Sequence, residues 1–397
     1  MNSMKRIIYW AALILPLLAG CTKPSSYPDA PAPEQYDRYI FFSHGVETKA
    51  SLIENAADLN GQNFGVVGFK YDFYDKDGNE VFWKDHKNTN PTPNVFYDEV
   101  VNSEGTSTYD ITPVETVRVT AGAQGTNVPP GTPYYEPLQG WSNVKQYTFF
   151  AFYPMPNDNV TLVNSSDGSK YTGGVPAIKY TMDVPSEYPA EGPADGSAFV
   201  ASMVDLLTAD PMTNLYWKSV SYYNIHIGNN SSNGEVNFRF THRLSCLGLK
   251  VKNLTAGGIT INSVTFNISG IKNQSVIFPL DGSSPYYGNE QIGYIACGLG
   301  IKEDESDITT TDGLELSNKL IFIPQESDVT FTVTVGYTRS LEGYTDNTTS
   351  FTTGDLSTSL EGRKKYIVNL KFTDSTVDVG FKSGAWAERH TIDNTFN

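Results

Sequence analysis

Apolar residues recur at every second position along much of this chain, and long stretches with a helical repeat are missing. The clearest run lies just beyond residue 234. Val236, Phe238, Phe240 and Leu244 share one face, while Asn237, Arg239 and Thr241 fall on the other. A two-residue repeat sends one set of side chains into a core and the other into solvent, which predicts a strand. The phase shifts near Cys246, after which Leu247, Leu249 and Val251 become the inward set, so a β-bulge is expected there. His242 falls on the inward register, where a packed, hydrogen-bonded histidine is expected. Further strands are predicted at 259–268, 320–323, 331–337, 366–372 and 376–381. In the first half they are predicted at 39–43, 64–74, 94–97, 114–119 and 219–227. Residues 147–153 are apolar on both faces, as in the central strand of a sandwich. A helical turn is expected at 51–59 and a buried segment at 199–209.

The segments between these runs carry turn chemistry. Asp75-Lys76-Asp77-Gly78-Asn79-Glu80 has the oxygen-rich look of a calcium loop, but its glycine comes fourth and not sixth, and aromatic strands flank it. It reads as a hairpin. Residues 84–140 are loop-heavy, with Pro91, Pro93, Pro129, Pro130 and Pro133. The polar run at 228–234 has no side chain suited to packing and marks the best domain boundary. Short strands divided by Gly, Asn and Asp turns make the fold all-β, an antiparallel sandwich type, with one domain over 38–233 and a second over 234–397.

Composition strengthens this reading: 24 Tyr and 21 Phe are a strand palette. The formal charge of -16 argues against nucleic acid, whose phosphates would be repelled. Cys246 and Cys297 each sit in an apolar strand-like run; two buried thiols are expected, with a disulfide left open. His44, His86, His226, His242 and His390 are scattered, without zinc-site spacing, and no nucleophile elbow, phosphate loop or dinucleotide fingerprint occurs. No catalysis, metal or cofactor is expected. Trp83, Trp141, Trp217 and Trp386 are potential sugar platforms, yet each neighbours apolar strand residues and is expected in the core.

The first residues carry an address. Lys5 and Arg6 precede an apolar run from 7 to 19, too short for a span of about 20 residues. Leu18-Ala19-Gly20-Cys21 resembles a bacterial lipobox, which makes 1–20 a signal peptide and Cys21 the acylated residue. Several acyl chains, at about 0.8 kcal/mol per buried methylene, form a stable anchor. Residues 21–37, rich in Pro, Ser and Ala, read as a flexible tether.

Taken in order, these features resemble the fimbrillin (type V pilin) family of Gram-negative lipoproteins. The matching residues are the lipobox at Cys21; Thr48-Lys49-Ala50, where the family has Thr-Arg-Ala; Phe64-Gly65-Val66; and Trp141 with Tyr147 to Pro154. They continue with the strand from Val236 to Leu247, Ile323-Pro324-Gln325, and residues 366–372. The resemblance implies two tandem transthyretin-like sandwiches and a surface lipoprotein of the outer membrane serving as a pilus subunit or adhesin. It also implies N-terminal trimming and assembly by strand exchange with other subunits. The first strand, with Tyr39, Ile40, Phe41 and Phe42, would be the one removed. Trimming is expected after Lys49 rather than Arg38, since only the later cut releases that strand. The lysine at 49 departs from the family's arginine, and a protease strict for guanidinium would reject it. The competing reading is a glycan-binding surface lipoprotein that does not polymerise.

Overall fold

The computed structural model describes residues 36–46, 62–95, 98–101, 107–110, 115–119, 133–135, 139–142, 144–184, 193–217, 229–231, 235–288, 293–309, 312–341, 344–345 and 348–385. Cys21, Lys49, the expected turn at 51–59 and the expected strand at 219–227 lie outside them. Within them the protein is all-β; its two α-helices, Trp83–His86 and Ser197–Ser202, are short.

A nine-stranded sheet forms the first half. Its main path runs Phe41–Val46, Glu235–His242, Leu207–Ala209, Lys145–Tyr153, Asn63–Asp72, Glu115–Val119 and Pro133–Tyr134. The Lys145–Tyr153 strand is central and buried from Gln146 to Phe152, as its two-sided apolar pattern demands. Tyr147, Phe149 and Ala151 pack with Phe64, Val66, Phe238 and Phe240 on one face. Phe150 and Phe152 pack on the other, with Val67 and Phe69, and that core continues unbroken into the second half.

In the second half, one sheet is built on Gly258–Ile271 and Val329–Leu341 and another on Ser245–Asn253, Lys364–Phe372 and Val377–Ala385. Their inner faces meet through contacts such as Tyr337 with Phe372, 4.8 Å between ring centres, and Phe331 with Phe381, 5.4 Å.

Several expectations change. The sheets are mixed, not wholly antiparallel: Phe41–Val46 runs parallel to Glu235–His242, and Ser245–Asn253 runs parallel to Lys364–Phe372. Such pairs join segments distant in sequence, which a hairpin repeat cannot reveal. The phase shift near Cys246 is a change of sheet and not a bulge. The strand ending at His242 belongs to the first sheet and the one starting at Ser245 to the second, with only Arg243 and Leu244 between. Residues 235–242, grouped by sequence with the second domain, therefore pair within the first-half sheet. Asn229–Ser231, in the polar run, pairs parallel with Met212–Trp217. A four-stranded sheet also bridges the halves, since Pro176–Thr181 pairs with Ser275–Pro279.

The hairpin at 75–80 forms as expected. The Asp75 carboxylate accepts from the backbone N–H groups of Asp77 and Asn79, and Gly78 takes a φ of 82° in the left-handed region.

Candidate functional site

The N-terminal segment enters the fold as two short strands and not the single expected one. Tyr36–Tyr39 pairs antiparallel with Gly140–Ser142, placing Tyr36 and Asp37 in a strand and not in the tether. The chain then turns at Ile40 and continues as Phe41–Val46 along Glu235–His242, with Phe42 opposite Val236 and His44 opposite Phe238. The second strand is the outermost of its sheet.

Two side chains anchor it. Ile40 is fully buried and Phe42 is 3% exposed. The Phe42 ring stacks 5.3 Å from Phe238, lies 5.3 Å from Tyr135 and meets Phe149 edge-on at 5.8 Å. The walls of this slot thus come from three separate stretches of sequence. Backbone polarity at the turn is satisfied locally. Ile40 N–H donates to the Gln139 carbonyl at 2.8 Å, and the Tyr135 hydroxyl donates to the Ile40 carbonyl at 2.9 Å. Tyr135 had no period to single it out, lying among the prolines of the 84–140 loop. Trp141 supplies the floor beneath, packed edge-on against Tyr147 at 4.8 Å and Phe149 at 6.1 Å.

Of the two basic positions, Arg38 lies inside the Tyr36–Tyr39 strand with its Cα opposite Trp141. A protease cutting after it would have to open that pairing. Lys49 and Cys21, the expected acylation position, are outside the described residues.

The other singled-out residues are structural. His242 is buried, its Nδ1 2.7 Å from the Asp205 carboxylate, so it is the packed, hydrogen-bonded histidine expected. Cys246 and Cys297 are buried free thiols, each pushed up to about 12 by burial. Trp83 and Trp141 are core residues; the side chains of Trp217 and Trp386 are not described. Among the described residues no group of three or more His, Cys, Asp or Glu is placed to hold a metal ion.

One charged cluster went unanticipated. Lys319, its side chain only 3% exposed, pairs with Glu315 at 3.2 Å, and Lys365 pairs with the same carboxylate. Burial would raise Glu315, but Lys319 and Lys365 outweigh it and hold the carboxyl below its ordinary range. Burial pulls Lys319 down, with Glu315 opposing. The Glu315–Lys365 pair links Leu314–Glu315 to Lys364–Phe372 across the Ser245–Asn253 strand, which pairs through its backbone with both.

The architecture has counterparts among solved structures. A fimbrial protein from Bacteroides vulgatus superimposes with a TM-score of 0.51 at 16% identity, covering 88% of this chain and all of the other. Candidate cell adhesion proteins from Bacteroides uniformis and Bacteroides ovatus give TM-scores of 0.41 and 0.42, each at 14% identity. They cover 88% and 89% of this chain and 98% of their own. No curated protein sequence is detectably similar. The fimbrillin-like family model matches residues 94–386, well over half of the chain, and the first-half sheet, the Trp141 floor and the strand from Glu235 lie within or against that region. The protein belongs to the fimbrillin-like family.

Proposed function

We propose that this fimbrillin-family protein is a surface lipoprotein, acylated at Cys21 and held at the outer membrane, that serves as a fimbrial subunit or adhesin. Its assembly step is exchange of the first strand: trimming after Lys49 releases residues up to that point, and a strand from another subunit fills the slot. The observation that carries this reading is the slot itself. Ile40, at the turn into the outermost strand, and Phe42, on that strand, are both buried between walls that belong to the body of the fold.

The energetics favour refilling. Losing Ile40 and Phe42 uncovers two large apolar sites worth about 1.5–3 kcal/mol each, and leaves the Glu235–His242 backbone without its six-residue partner. An incoming strand regains both terms, the physics of β-augmentation. The position of Arg38 within a paired strand favours Lys49, since a cut at Arg38 leaves the slot filled. The reading includes two tandem sandwich domains, with residues 235–242 completing the first. The glycan-binding alternative loses two of its four candidate platforms, because Trp83 and Trp141 are core residues.

A reversible staple tests this. Ser43 and Asn237 are register partners across the parallel pair, so Ser43→Cys with Asn237→Cys can lock the strand in place. The oxidised protein is expected not to polymerise and the reduced protein to do so. Equal polymerisation of both would overturn strand exchange at this slot.

A further inference from the structure

A cleft lies against the Asn63–Asp72 strand, between the 75–80 hairpin and the segment from His86 to Asn94. Its volume is about 490 Å³, within the range of roughly 300–1,000 Å³ usual for small-ligand sites. Two rings border it. Among the described residues Tyr74 is one of four large apolar side chains left exposed, at 40%. His86 is half-buried and lies flat on Tyr71, with 4.5 Å between ring centres and 16° between planes. Tyr71 is itself held: its hydroxyl lies 2.9 Å from the Thr148 hydroxyl and donates to Asn214 Oδ1 at 3.1 Å, and Trp83 packs 6.2 Å away. The His86 ring is therefore a pre-set platform.

Polar groups around the rings have capacity to spare. Among the described residues, the Tyr74 hydroxyl, the Lys76 ammonium, the Thr92 hydroxyl and the His86 ring nitrogens hydrogen-bond to no other protein group, and Asp72 uses one carboxylate oxygen on Lys145 and keeps the other. The charges of the lining cancel, Lys70 and Lys76 against Asp72 and Asp75. Burial holds His86 below its ordinary value, against the opposing charge of Asp72, so the ring is neutral near pH 7. The strand edge is already taken at Lys70, whose N–H donates to Asn94 Oδ1 at 2.6 Å and whose carbonyl accepts from Asn94 Nδ2 at 2.7 Å. That side-chain amide stands where a further strand would pair, so an extended peptide has no ladder to join there.

We propose that this cleft binds a neutral hexose unit of an oligosaccharide, seated against Tyr74 and His86 with its hydroxyls shared among Lys76, Asp72 and Thr92. Such a ring offers apolar C–H faces to aromatic side chains, a rim of hydroxyls that both donate and accept, and no charge, which is the combination this lining complements. None of the four tryptophans weighed as sugar platforms is needed as an exposed one; Trp83 only backs the stack. The inference rests on the adhesin part of the reading above and not on strand exchange, since the cleft shares no residue with the first-strand slot.

The test applies the full chain to an array of neutral, sialylated and sulfated oligosaccharides, with a Thr-Val repeat peptide as extended-chain comparator. The strongest neutral binder is then titrated free in solution by calorimetry. It is expected to bind saturably at one site. The oxidised Ser43→Cys, Asn237→Cys protein, whose first strand is locked, is expected to bind it equally well, so a failure here and a failure of strand exchange are told apart. Tyr74→Ala, at an exposed position that leaves folding intact, is expected to weaken binding about fivefold or more. Lys76→Gln, also exposed, weakens it as well. The proposal is overturned if no neutral glycan binds, if only acidic glycans or the peptide bind, or if Tyr74→Ala and Lys76→Gln both bind as tightly as the parent. Binding confined to assembled protein and lost in the stapled form also overturns it.

Discussion

Phe42→Ala is the sharpest perturbation of the first strand. The residue is 3% exposed and touches three rings at centroid distances of 5.3–5.8 Å. Truncating a phenylalanine so enclosed costs about 3–5 kcal/mol, counting lost transfer energy and the cavity left behind. An outermost strand can absorb that loss by detaching without global unfolding, so the effect divides unequally. Amides of residues 41–46 and those of 236–240 facing them should exchange faster by two or more orders of magnitude, at about 1.4 kcal/mol per tenfold. The Val329–Leu341 strand should keep its protection, since its core contacts lie elsewhere. Hydrogen exchange read by mass spectrometry, with denaturant unfolding alongside, measures both. Uniform acceleration across the protein, or protection of 41–46 unchanged, would refute the idea that this strand is held as a separable unit.

Other expectations are more local. Glu315→Gln strands the buried Lys319 and its neighbour Lys365, and should cost about 1–3 kcal/mol once screening at the half-open carboxylate is allowed for. The folded Glu315 carboxyl lies below its ordinary value, so its stabilisation is present at neutral pH and fades as pH falls from about 4.5 through the folded value. Glu315→Gln should remove that dependence in unfolding curves taken across the window. Arg363→Gly should stabilise by about 1 kcal/mol in denaturant unfolding, because glycine accepts the φ of 64° freely. Cys21→Ser should leave the protein unprocessed or released, and fatty-acid labelling of cells that is undiminished in the variant would oppose the anchor.

Where one side of a strand meets solvent, residue order alone located it: Val236, Phe238 and Phe240 alternate with exposed Asn237 and Arg239, and each buried member is fully covered. The Asp75 hairpin was legible for the same reason, since the conformation is decided within six residues. Partnership between distant segments was not legible. Nothing in the order of residues 235–251 distinguishes a bulge from a change of sheet, because both reset the two-residue phase. Pro176–Thr181 pairs with Ser275–Pro279 across almost a hundred residues, and neither segment stood out by its own pattern. The first-strand slot was half visible: Tyr39, Ile40, Phe41 and Phe42 were expected as the removable strand without a distinction among them, but the Tyr135 hydroxyl that clamps the turn has no sequence signature.

The N-terminus of the protein recovered from assembled surface fibres tests strand exchange most directly. N-terminal sequencing should return Ala50 as the first residue, the strand from Phe41 having left with the cleaved segment. Assembled protein that begins at Tyr39, or that still carries its acylated Cys21 and the first strand, would contradict strand exchange at this site.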